Sequence, residues 1–300
     1  MSQPWTVEGK VCVVTGGNSG IGLHTAIGLA RLGARVAIVS RSREKGEAAQ
    51  AAARAAGVEL ELVVGDLGSL QSTRALADEL LARFERLHVL VNNAGLWMTE
   101  RQLTPDGLET TFAVNHLAPF LLTRLLLPRL QASAPARIVN VASAAHQRGR
   151  LRWDDLQAER GFGKVQAYCD SKLCNVLFTR ELARRLEGTG VTANSLHPGV
   201  VNTNLSNNST GVIRWGWDLL APLFFTSPEK GARTSLHLAS APELEGVSGR
   251  YFASSREVTP ARAAQDDAAA RRLWEVSEEL AGLSPAPARR PVPVGAQPPE

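Results

Sequence analysis

Cysteine is scarce in this chain. Its 300 residues hold three, Cys12, Cys169 and Cys174, an odd number at no metal-ligand spacing. A disulfide framework or a thiolate zinc site is thereby excluded, and the compartment reads as reducing. Long apolar runs are missing as well. Every apolar stretch is broken by Arg, Pro or Gly before bilayer length, and residues 1–10 carry no signal-like run. Neither a leader nor a membrane anchor is expected, and the expected location is cytoplasmic. Basic charge is not clustered either. The net charge is +4 with a pI near 9.2, yet Lys and Arg are scattered, without a stripe interleaved with aromatics. Nucleic acid is therefore not an expected partner. His116, His146 and His197 show no metal spacing, so no metal is expected and these rings are assigned structural or pocket-rim places.

What is present is core-forming material in a regular order. Hydrophobic residues make up 44% and charged residues 21%, enough to bury one large domain. Short apolar runs alternate with amphipathic stretches, the habit of a parallel sheet covered by helices on both faces. Strands are expected at 10–15, 35–40, 59–64, 89–92, 137–141, 191–196 and 249–252. Helices are expected near 20–32, 69–84, 108–130, 167–186, 228–239 and 266–281, with a further one between 41 and 56 and Ser69 as a cap. The fold class is α/β: a single doubly wound, Rossmann-type domain with a seven-strand parallel sheet. It fills residues 1–283, and the Pro-rich segment 284–300 is expected to be a disordered tail.

Residues Thr15 to Gly22 (T-G-G-N-S-G-I-G) leave the first strand and open the first helix. Glycines there let the backbone turn tightly and approach a diphosphate, which the helix N-terminus favours through free N–H groups and its dipole. The second strand ends Ser40-Arg41, where such folds read the adenosine ribose. No carboxylate lies between Val36 and Arg43 to repel a 2′-phosphate. A hydroxyl and a guanidinium at that point predict NADP, with NADPH preferred over NADH.

Tyr168 and Lys172 stand four apart in Y-C-D-S-K, a spacing that puts both on one helix face. A free phenol titrates near about 10 and is a poor acid–base catalyst at neutral pH. A fixed ammonium close by would pull it toward the working range. Ser143 ends the buried run before them.

In order along the chain, these motifs resemble those of the short-chain dehydrogenase/reductase family, to about residue 282. Thr15, Gly16, Asn18, Ser19, Gly20, Ile21 and Gly22 match its cofactor loop, and Asp66-Leu67 the pair bordering the adenine. Asn93, Ala94 and Gly95 fall in its N-N-A-G stretch, and Pro198, Gly199 and Thr203 in its P-G-x-x-x-T stretch near the nicotinamide. The resemblance implies Ser143, Tyr168, Lys172 and Asn115 as catalytic residues, with Tyr168 the proton donor or acceptor. It implies that Lys172 holds the nicotinamide ribose, that Ser143 bonds the substrate oxygen, and that Asn115 supports the lysine through water. H-P-G-V-V-N-T at 197–203, V-S-G-R-Y-F at 247–252 and S-A-A-H-Q-R-G-R-L at 143–151 are similar to the retinol-dehydrogenase-like branch.

The implied activity is hydride transfer between NADP(H) and a small apolar carbonyl or alcohol, retinoid-like by resemblance. Steroid, lipid-aldehyde or xenobiotic carbonyls are alternatives, as is a non-catalytic nucleotide-binding scaffold or redox sensor. Peripheral membrane contact and a homodimer stay open. Segment 212–225 concentrates Trp and Phe around Gly216 and Pro222, which suits a mobile apolar flap over the substrate. Trp97, Trp217 and Phe224, with Ser143, are the expected substrate contacts.

Overall fold

The computed structural model describes residues 5–199 and 227–283. Eight strands form one sheet in the order β3-β2-β1-β4-β5-β6-β7-β8. They are β1 (Val11–Thr15), β2 (Arg35–Ser40), β3 (Glu61–Val64), β4 (Val89–Asn92), β5 (Ala136–Val141), β6 (Val191–His197), β7 (Tyr251–Ala253) and β8 (Arg256–Glu257). The first seven run parallel, as expected from the alternation. The eighth, antiparallel to β7, was not foreseen, because two exposed residues carry no periodicity.

The central strands β1, β4 and β5 are buried on both faces, which is why they read as continuous apolar runs. Val13, Val39, Val63 and Ile138 point into one core, while Cys12, Val14, Ile38 and Val139 point into the other. The first core is closed by α3 (Leu70–Arg83), α5 (Ala118–Ala132) and α6 (Lys164–Arg185), and the second by α1 (Gly20–Arg31), α2 (Arg43–Ala55) and α7 (Pro228–Ser240). Cys12 is fully buried, and that burial pushes its thiol pKa up to about 12. Ser69 caps α3, accepting from the Ser72 N–H at 3.2 Å, as its position predicted.

The helix expected over 108–130 is not uniform. It begins as a short α4 (Thr110–Phe112), loosens into a π-helical turn at Ala113–Leu117, and continues as α5. Asn115 lies in that turn, its side chain bonded outside the helix. The last helix, α8 (Asp267–Leu280), is more than a surface helix. Its Leu273 and Trp274 are buried, and Trp274 meets Phe120 edge-on with centroids 5.0 Å apart. At the other terminus the Trp5 indole donates to the Ala239 carbonyl at 2.9 Å. Among the described residues no helix is long and apolar enough to cross a membrane.

Chain order reverses beside β1, where β4 returns to pair with it. In open α/β sheets the crevice outside the carboxyl ends at such a point binds ligands. Gly16, Arg41, Asn93, Ser143 and Pro198 all follow closely on strand ends at this edge.

Candidate active site

At the mouth of the crevice, Gly16 and Gly20 have φ of +63° and +54°, angles at which a side chain is strained. A Cβ on Gly22 would lie 2.4 Å from the Gly16 carbonyl oxygen, so α1 can approach the loop only with glycine there. Ser19 caps α1 without a side-chain hydrogen bond, and the helix has no acidic residue in its first turn. Ser42, Ser69, Ser227 and Asp266 do cap their helices with side-chain oxygens. The open N–H groups and dipole of α1 fit the diphosphate of a dinucleotide.

Thr15 and Asn93 brace this loop from within. The Thr15 hydroxyl accepts from the Asn93 and Ala94 N–H groups at 3.0 and 3.1 Å. The Asn93 amide donates back to the Thr15 carbonyl at 2.9 Å. Asn92 holds the strand ends from below, its amide donating to Thr123 at 2.9 Å and Asn140 at 2.8 Å.

At the ribose-reading position the two residues stand differently. Ser40 is buried, and its hydroxyl donates to the Ser42 carbonyl at 2.8 Å. That bond shapes the turn rather than presenting a donor to a ligand. Arg41 is exposed and pairs with no carboxylate among the described residues. Asp66 is exposed at the end of β3 and accepts from the Gly68 N–H at 2.9 Å. Leu67 turns into the core, leaving its backbone as the part that can border a ligand.

Deeper in the crevice the remaining groups converge. Lys172 is buried and donates from Nζ to the Val141 carbonyl at 3.2 Å. A Cβ built on Gly95 would lie 3.3 Å from Lys172 Nζ and 3.4 Å from Asn115 Oδ1. Both atoms thus meet under one glycine. Asn115 is fixed by three bonds: Oδ1 accepts from the Leu96 N–H at 2.8 Å, and Nδ2 donates to the Leu96 carbonyl and the Ser171 hydroxyl at 2.9 and 3.0 Å. Ser171 in turn donates to the Tyr168 carbonyl at 2.8 Å. This serine, inside Y-C-D-S-K beside the lysine, escaped the sequence reading, although its place in the motif was a usable signal.

Tyr168 and Lys172 share a face of α6 as their spacing required, with Nζ 5.6 Å from the phenol ring centre. The Trp97 ring stands 6.0 Å from Tyr168. Burial raises the Tyr168 pKa above its ordinary value, only partly offset by a hydrogen bond from Ser143. Burial also lowers the Lys172 pKa to about 8. Desolvation dominates at both groups because both are buried, and a low-dielectric setting disfavours the charged form of each. Ser143 caps a 3₁₀ turn, accepting from the Ala145 N–H at 3.2 Å. Gly199, at φ +87°, donates its N–H to His197 Nδ1 at 3.0 Å. Thr203, Trp217 and Phe224, and with them the expected flap, lie outside the described residues.

Comparison with known proteins agrees with this geometry. The short chain dehydrogenase family profile matches residues 10–211. Mouse retinol dehydrogenase 12 is 49% identical over 279 residues, covering 92% of this chain and 88% of its own length. Human retinol dehydrogenase 14 is 46% identical, covering 94% and 89%. A solved structure of a Beutenbergia cavernae protein, described as NAD(P)-dependent and carrying bound NADP at low occupancy, superposes with a TM-score of 0.68 at 30% identity, covering 84% of this chain and 97% of that one. With a matched stretch running from β1 past the Pro198-Gly199 turn, the chain belongs to the short-chain dehydrogenase family, in its retinol-dehydrogenase-like branch.

Proposed function

We propose that this oxidoreductase uses NADP(H) to interconvert an apolar carbonyl and its alcohol, with retinoids as the leading substrate class. The convergence of Lys172 Nζ and Asn115 Oδ1 beneath Gly95, on the face of α6 that carries Tyr168, supports this reading most strongly. The bound nicotinamide supplies or accepts the hydride. Gly16, Asn18, Ser19, Gly20, Ile21 and Gly22 hold the diphosphate, and Asp66, Leu67, Ala94, Gly95, Pro198 and Gly199 border the bases and riboses. Thr15 and Asn93 support the cradle from behind, and Thr203 belongs to the same proposal through the resemblance. Tyr168 gives its proton to the carbonyl oxygen in reduction and takes it back in oxidation. Burial raises its pKa, and the Lys172 ammonium on the same helix face acts against that shift by favouring the phenolate. Ser143 bonds the same oxygen. Lys172 holds ribose hydroxyls and carries a proton toward Tyr168, with Asn115 fixing the water beside it.

Apolar substrate preference rests on the relatives' names and on Trp97 beside Tyr168. A cytoplasmic setting is part of the same proposal, supported by three free, buried thiols. The test of substrate class is NADPH oxidation by purified protein against retinal, a steroid ketone and an aliphatic aldehyde. Retinal should give the highest kcat/KM. Turnover of the steroid ketone alone would reassign the class, and turnover of none would favour a scaffold.

Two further outcomes follow from the charges. Arg41→Asp should weaken NADPH about ten- to a hundredfold, the value of a charge-assisted bond to a 2′-phosphate, and leave NADH nearly unchanged. Parallel titrations with the two cofactors decide it, and equal losses would remove Arg41 from phosphate reading. Lys172, with a pKa of about 8, is charged below that pH and neutral above it. The kcat/KM for NADPH should therefore fall on the alkaline side with an apparent pKa near 8, because the free enzyme's titration governs that ratio. A profile flat to pH 9.5 would exclude the ammonium from cofactor capture.

A further inference from the structure

Against the Ser143 carbonyl lies a buried aromatic cluster that the reaction itself does not use. His146 is fully buried. Its backbone N–H donates to the Ser143 carbonyl at 3.1 Å, and its Nδ1 lies 2.8 Å from the same oxygen. Its Nε2 accepts from the Ala261 N–H at 3.1 Å. A nitrogen that accepts from an amide must present its lone pair, so the neutral ring carries its proton on Nδ1 and donates it to Ser143. Tyr251 packs on the ring with centroids 4.7 Å apart, its hydroxyl 3.3 Å from Nδ1. Tyr251 also lies 6.1 Å from the His197 ring, and His197 accepts from Gly199.

We infer that His146 is a positioning residue. It clamps the Ser143 carbonyl through Nδ1, takes its tautomer from the Ala261 N–H, and so ties the Ser143 loop to the segment that follows the last strand. The consequence is geometric. Ser143 has extended backbone, φ −160° and ψ 156°, and its hydroxyl can meet a substrate oxygen only while that peptide is held. His146 supplies one of the two bonds to the carbonyl from its backbone and the second from its ring. Without the ring, one bond remains and the Ser143 peptide can rock. A misplacement of about 1 Å in a reacting geometry can cost about a hundredfold in rate. The inference rests on the role proposed above for Ser143, and the test separates the two.

The variants are Ser143→Ala, His146→Phe, His146→Asn, Ala261→Pro and the Ser143→Ala/His146→Phe double, in the full chain with NADPH and retinal. Kinetics, NADPH titration and melting are measured for each. His146→Phe keeps the ring's bulk and loses both nitrogens. It should lower kcat about ten- to a hundredfold with NADPH affinity unchanged. His146→Asn can still donate and accept, and should recover most of the loss. Ala261→Pro fits the local φ of −55°, removes only the N–H that selects the tautomer, and should lower kcat about two- to tenfold. It also serves if His146→Phe does not fold. The double variant should be no slower than Ser143→Ala, since the histidine acts through the serine. Equal loss in His146→Phe and His146→Asn, a multiplicative double, or a folded Ala261→Pro at full kcat would overturn the clamp. A silent Ser143→Ala would instead remove the serine's role, and the clamp would fall with it.

Discussion

Replacing Tyr168 by phenylalanine should cut kcat by about 10²–10⁴-fold, the usual contribution of a positioned general acid, while NADPH affinity stays close to that of the unaltered protein. The reason for the split lies in what the ring touches. Its face packs near Trp97, and the residue's backbone carbonyl accepts from the Ser171 hydroxyl, neither of which depends on the phenol oxygen. Phenylalanine preserves the packing and removes only the proton. The Lys172 ammonium keeps its bond to the Val141 carbonyl in the variant, so the cofactor's side of the pocket is left standing. Stopped-flow turnover and fluorescence titration read the two halves separately. Near-normal turnover would exclude Tyr168 as the acid, and a parallel loss of NADPH binding would show that the substitution disturbs the pocket instead.

The second large effect concerns stability. Trp274 is buried between two helices, edge-on to Phe120 and 6.0 Å from Phe178. The guanidinium groups of Arg185 and Arg124 lie over it at 4.3 and 5.0 Å. Trp274→Ala removes both the apolar contact and the cation–π partners, for a loss of about 3–5 kcal/mol. For a domain of about 280 residues that corresponds to a Tm lowered by roughly 5–9 °C. The helix that carries it also contributes Ser277, whose hydroxyl lies 2.8 Å from His116 Nε2 in the π-helical turn. Undocking α8 should therefore also loosen the segment that holds Asn115. A shift below about 2 °C would show that α8 contributes little to the fold.

How much of this was legible beforehand depended on whether a residue's task was local. The glycine loop and the Tyr168–Lys172 pair are set by spacings of a few residues, and both stand where those spacings put them. Long apolar strands were legible because burial on both faces leaves a continuous run. The π-helical turn was not, since an insertion in the helical register leaves the apolar pattern of 108–130 almost unchanged. The short β8 has too few residues to show a period. The bond from Ser40 to Ser42 was hidden because sequence gives the residue's place at the strand end but not its partner. The burial that raises the Tyr168 pKa was hidden for a related reason. Spacing announces the lysine, whereas desolvation comes from residues distant in the chain. His146 and Tyr251, 105 positions apart, meet only once the sheet is assembled, so no local motif could have joined them.

The central claim is that this crevice moves a hydride between nicotinamide and an apolar carbonyl. It is tested most directly with NADPH deuterated at the transferring position of C4, mixed with retinal and excess protein for a single turnover. Mass spectrometry of the product should find the deuterium on the new carbinol carbon, with the transfer slowed at least about a hundredfold in Tyr168→Phe. Retinal recovered unreduced beside tightly bound, unconsumed NADPH would contradict the claim and leave the chain a nucleotide-binding scaffold.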